Sequence, residues 1–189
     1  MRGAVILSAF FNGSWTYGET AEEMGRVILN VMENLRGEDG EGRSYTPGSD
    51  AWFSMASERQ GNESRAADNH LRVAVNRRTG YGSLIWFVDD GSSKVGDVYG
   101  SVWISDNPHP SSVDPRVVSD PGYPLFHDPA SAIPLDRVRA ALEEFCLSGC
   151  GDRPSCIGWV SGEANGQRFD RAPVADIVED PVIDWDGLS

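Results

Sequence analysis

The chain has 189 residues, a net charge of −13 and a sequence pI near 4.5. That length suits one domain with a tail, and a surface so acidic repels nucleic acid and anionic membranes. The longest apolar runs, AVIL and LIWFV, are far too short to cross a bilayer.

Residues 3–11, GAVILSAFF, form a short apolar run with β-branched and aromatic members, which predicts a buried strand. The N-terminal stretch lacks the small-residue cleavage pattern of a signal peptide, so a cytoplasmic protein with reduced thiols is expected. The next segment, ETAEEMGRVILNVMENLRG, predicts a helix over about 20–36. Thr20 and Glu23 have capping-box spacing. Met24, Val27, Ile28, Val31, Met32 and Leu35 recur at three and four and make one apolar face, and Gly37 is a C-terminal stop. Residues 37–50 read as an acidic, glycine-rich loop, AWFSMASE as a strand and RQGNESRAADN as a loop.

The clearest β signal is LRVAVNRRTGYGSLIWFVDDG. Leu71, Val73 and Val75 alternate with Arg72, Ala74 and Asn76, which puts the apolar trio on one face. RRTGYG makes the turn, and the return strand Leu84–Val88 is apolar on both faces, so it belongs in the middle of a sheet. Val98, Gly100, Val102 and Ile104 alternate with Tyr99, Ser101 and Trp103 and predict a third strand. An antiparallel meander over 71–104 results. Pro108, Pro110, Pro115, Pro121, Pro124 and Pro129 then leave no regular element expected between 105 and 132, a crossing loop.

IPLDRVRAALEEFCLSGCGDRPSCIGWV follows. Pro134 suits the first turn of a helix over 134–147. Leu135, Val138, Ala141, Leu142 and Phe145 form one face, Gly149 stops the helix, and a strand over 155–160 puts Ile157 and Trp159 together. Helices with a single apolar stripe must pack on a sheet, and the meander supplies one. The fold class expected is therefore α+β: an antiparallel twisted sheet packed by two main helices, in one domain over residues 1–170. Residues 171–189 make an acidic tail. Its Val174, Ile177, Val178, Val182, Ile183, Trp185 and Leu188 are too apolar for pure disorder, so docking on the domain or on a partner is expected.

Catalytic patterns do not emerge. Cys146, Cys150 and Cys156 lack the paired C-x2-C spacing of a zinc ribbon, and packing thiols are the expectation; a Cys150–Cys156 disulfide stays open for an oxidised protein. His70, His109 and His127 stand in no metalloprotease or nucleophile-elbow pattern. Glu143 and Glu144 point about 100° apart on a helix, so they read as solvated residues rather than a catalytic pair. No enzyme activity, metal or cofactor is expected. A site assembled from loops, with His109 and His127, is the reading that motif spacing cannot address.

Four features in order resemble immunity protein family one of the bacterial polymorphic toxin systems. They are the hairpin LRVAVNRRTGYGSLIWF, the strand GDVYGSVW, the helix AIPLDRVRAALEEF and the segment SGCGDRPSCIGW. The likeness spans roughly residues 71–160. It implies an α+β domain that binds and silences a secreted toxin made by the same cell. Toxins paired with this family are often nucleic-acid deaminases that use zinc, a Glu and a P-C-x-x-C motif, and this sequence has no such motif. The chemistry would belong to the partner, and this chain would occlude its active site.

A toxin acting on nucleic acid needs a basic channel, which a charge of −13 complements. Two surfaces are expected to face it. One is the tail, with Asp176, Glu179, Asp180, Asp184, Trp185 and Asp186. The other is Asp89, Asp90, Asp97, Tyr99, Trp103 and Asp106 at strand ends, with Trp103 equally readable as a core residue. An acidic regulator of another basic protein accounts for the same charge.

Overall fold

The computed structural model describes residues 5–37, 49–62, 67–89, 92, 94, 101–119 and 125–172. Among the described residues eight strands form one antiparallel sheet, as expected of an α+β domain. In chain order they are β1 (Ile6–Phe11), β2 (Ser14–Gly18), β3 (Asp50–Ala56), β4 (Asn69–Asn76), β5 (Tyr81–Val88), β6 (Val102–Asp106), β7 (Ile133–Pro134) and β8 (Gly158–Ser161). Across the sheet the order is β2-β1-β3-β4-β5-β6-β8, and β7 pairs with the start of β5. Helices α1 (Ala21–Asn34) and α2 (Leu135–Leu147) share one face.

Helix α1 starts where its sequence dictates. The Thr20 hydroxyl accepts from Glu23 N–H at 3.2 Å, and the Glu23 carboxylate accepts from Thr20 N–H at 3.1 Å and Glu19 N–H at 2.9 Å. Met24, Val27, Ile28 and Val31 are buried against the sheet. Full burial of one such side chain contributes about 1.5–3 kcal/mol. The helix is two residues shorter at its C-terminal end than the spacing predicts, but Leu35 still packs fully into the core.

A hairpin stands where the sequence reading placed one strand. Asn12 has φ 51° and Gly13 φ 76°, as a two-residue hairpin turn requires. It joins β1 to β2, which the sequence reading left unassigned. The third meander strand is present as β6 from Val102, and Val98, Tyr99 and Gly100 lie outside the described residues. The proline-rich stretch carries the end of β6 and a 3₁₀ turn at Pro129–Ser131, where Asp128 caps Ala130 N–H. Pro134 pairs with Tyr81 and caps α2 instead of lying inside it.

Helix, loop and strand then lock together. Gly149 has φ 64° and ends α2. Gly151 has φ 70°, and a Cβ there would come 2.0 Å from Asn69 Oδ1. That amide is occupied, accepting from Met55 N–H and donating to Met55 O. Glu144 is no solvated helix residue. Its carboxylate accepts from Ser155 N–H, Ser155 Oγ and Cys156 N–H at 2.7, 2.7 and 3.0 Å. Burial opposes the charge there, but bonds from Cys156 and Ser155 outweigh it and hold the carboxyl down at about 2.

Candidate partner-binding surface

Side chains alternate along each strand, so each strand offers one row to the helices and one to the far side. Leu7, Phe53, Leu71, Val73, Leu84 and Trp86 face α1 and α2. On the far side two loops cover part of the sheet. Residues 57–62 close over β1, with Gln60 N–H on Ser8 Oγ at 3.0 Å and Tyr17 OH on Gln60 O at 2.8 Å. Residues 107–119 and 125–132 close over β4 to β6. There Asn76 Nδ2 donates to Pro115 O and Arg116 O, Arg72 donates to Ser119 O, and Val117 is fully buried.

Between these covers runs a row of half-buried aromatic rings. Phe10 lies opposite Trp15 in one ladder and Trp52 in the next. Phe10 and Trp15 have centroids 5.2 Å apart, Trp52 meets Phe87 edge-on at 5.6 Å, and His70 stacks on Phe87 at 4.6 Å. Trp52 is held in place from below. Asp50 Oδ2 accepts from its indole N–H at 3.0 Å and from Arg72 Nε at 2.7 Å, and the Arg72 guanidinium lies 5.3 Å from the Trp52 ring centre. Arg72 and Asp50 are both buried, so this ion pair is satisfied internally. Asp68 and the half-exposed Asp89 stand at the rim, with Asp89 Oδ1 3.9 Å from His70 Nε2. Burial draws the His70 pKa down against the pull of Asp89, so the imidazole is neutral at pH 7.

The sequence-derived site residues scatter over this frame. Asp89 follows β5, at one end of the β5–β6 ladder, and Asp106 closes β6 at the other. Asp106 accepts from Arg168 Nη2 at 2.8 Å, on the face away from the helices. Trp103 is on the helix side, packed on the core and covered by the Arg153 guanidinium 3.8 Å from its ring centre. The structure therefore does not bring Asp89, Trp103 and Asp106 together. Asp90, Asp97, Tyr99, Asp176, Glu179, Asp180, Asp184, Trp185 and Asp186 lie outside the described residues.

The aromatic row went unread in the sequence, although a signal existed. In AWFSMASE, Phe53 and Met55 take the core parity, so Trp52 is an aromatic on the side where a half-solvated strand carries polar residues. Arg168 was missed too. It is 3% exposed and binds Asp106, both oxygens of Asp170 and Ala130 O.

The thiols are free. Burial, with the nearby charge of Glu143, pushes Cys146 up to about 12, and burial with the Glu144 contact pushes Cys156 up to about 11. Protonated thiols are poor metal ligands and nucleophiles. Among the described residues no group of three His, Cys, Asp or Glu side chains is placed to hold a metal, and no helix is long and apolar enough to cross a membrane.

One helix-packed face and one aromatic face define an α+β scaffold with a candidate docking surface. Comparison with protein families makes the assignment specific. The chain belongs to the immunity protein Imm1 family, whose model matches residues 28–161, from within α1 to the last residue of β8. Comparisons with curated proteins and with solved structures give no match. The family consists of immunity proteins of toxin systems, which implies a cognate toxin as partner.

Proposed function

We propose that this chain binds a secreted toxin made by its own cell and neutralises it by covering the active site. The observation that carries the reading is the family match over residues 28–161. The toxin is a nucleic-acid deaminase with a basic substrate channel, and the inhibitor acts in the cytoplasm before export. What supports a basic partner is the charge of −13, which speeds encounter with a cationic surface. The chain contributes no chemistry of its own and needs no cofactor; it excludes substrate. Carboxylates of the tail over 171–189 and of Asp89 and Asp90 reinforce the electrostatic match.

Co-expression with the toxin domain encoded by the neighbouring gene tests this. Cells survive, and the two proteins copurify. Cell death without a complex refutes the reading. A complex with an unrelated basic protein, and none with the toxin, favours a regulatory module instead.

A further inference from the structure

We propose that the aromatic row Phe10, Trp15, Trp52 and Phe87 is the surface on which the toxin docks, receiving arginine and lysine side chains from a basic partner face. This rests on the toxin-binding function proposed above and names its surface.

The outer side of an antiparallel sheet ordinarily carries polar side chains. Here it carries half-buried rings in two contacting pairs, Phe10–Trp15 across β1 and β2 and Trp52–Phe87 across β3 and β5, with Phe10 and Trp52 facing each other in the β1–β3 register. None of the four contributes to helix packing through this face, because α1 and α2 lie on the other side of the sheet. The loops over 57–62 and 107–119 bury the polar residues on either flank, such as Ser8 and Asn76, and leave the rings half open. Grouped aromatics with a polar rim are the usual anchors of a protein interface.

Charge selects the occupant. The chain carries −13, and the exposed Asp68 and Asp89 stand at the end of the row where His70 stacks on Phe87. Arg72, the cation beneath the row, is already neutralised by Asp50. The rings of this face also accept guanidinium groups within the chain itself. Arg72 lies 5.3 Å from the Trp52 ring centre and Arg59 lies 5.0 Å from that of Tyr17. A basic partner repeats that geometry from outside and gains ion pairs at the rim.

The test measures affinity by calorimetry and association rate by stopped-flow fluorescence, using the full chain and the toxin domain encoded by the neighbouring gene. Trp52→Ala and Phe87→Ala weaken binding at least about tenfold while circular dichroism shows a folded protein. Asp68→Asn with Asp89→Asn slows association about threefold and flattens its salt dependence. The carboxylate pair sits at exposed positions, so it reports on the surface even if a ring variant unfolds. If the full chain binds and every folded variant binds within about twofold of it, the docking surface is overturned and the immunity function stands. If the full chain does not bind, function and surface fall together. Ring variants that change only self-association, measured by light scattering, make the row a contact between copies and also overturn the proposal.

Discussion

The Arg153 guanidinium lies 3.8 Å from the ring centre of Trp103 and 5.8 Å from that of Trp86. The two tryptophans are register partners on β6 and β5, and Trp86 Nε1 donates to Gly151 O at 3.1 Å. Pro154 O accepts from Trp159 Nε1 at 2.7 Å. The Gly-Asp-Arg-Pro segment is thus bolted to the sheet by three indoles. Arg153→Ala is expected to lower unfolding free energy by about 1–3 kcal/mol, through lost stacking and lost stem packing. Arg153→Lys recovers part of it, because an ammonium has no planar face to stack. Urea unfolding followed by tryptophan fluorescence reads both.

Two glycines in the same loop separate backbone strain from collision. Gly149 and Gly151 both have φ in the left-handed region, but a Cβ on Gly149 meets open space. Gly149→Ala is expected to cost about 1 kcal/mol. Gly151→Ala also displaces the Asn69 amide from β3, and its cost rises to about 3 kcal/mol or more. Thermal midpoints of the two variants should differ clearly, with Gly151→Ala the lower.

Arg168 ties residues 167–170 to the end of β6 and to the 3₁₀ turn. Its removal leaves Ala130 O with Asn107 N–H in place of two donors, and two carboxylates facing each other. Asp106 and Asp170 are partly solvated, which tempers the loss to about 2–3 kcal/mol for Arg168→Ala. Hydrogen exchange should quicken first at the N–H groups of Glu163, Gly166 and Phe169, which bond within this fold-back.

Acid should destabilise the domain in two stages. Burial pushes His127 down to about 3 from 6.5, so the unfolded chain binds the extra proton between those values. Stability then falls as pH drops below 6.5. At pH 5 the loss from His127 is about 2 kcal/mol relative to pH 7 or above. His127→Gln should remove most of that difference. Glu144 acts later: its folded pKa of about 2 lies below the ordinary 4.5, so its contribution is intact above 4.5 and is lost as pH falls toward 2. Glu144→Gln should flatten the curve only below pH 4.5. Chemical unfolding at a series of pH values checks both windows.

The elements most legible in the sequence were those whose signals are local. The Thr20–Glu23 box and the three-four spacing after it specify α1, and both reciprocal bonds are present. The hairpin of β4 and β5 follows from alternation and a four-residue turn. Asn12–Gly13 was equally local and went unread because the apolar run before it looked complete. Arg72 and Asn76 show what a strand pattern cannot carry. Alternation places them opposite the core, but the loop over 107–119 returns across that face and buries both. Such a cover depends on contacts 39 to 47 residues away in the chain. The aromatic row has the same character, since it exists only once β2, β1, β3, β4 and β5 are set side by side.

Trp86 and Phe87 are chain neighbours that look in opposite directions, one toward α2 and the Gly151 loop, the other toward the open row. The pleat keeps the two trades apart. Substitutions among the outward rings leave the inward indoles and their arginine in place, so the outer face can be redrawn one residue at a time without rebuilding the frame that presents it.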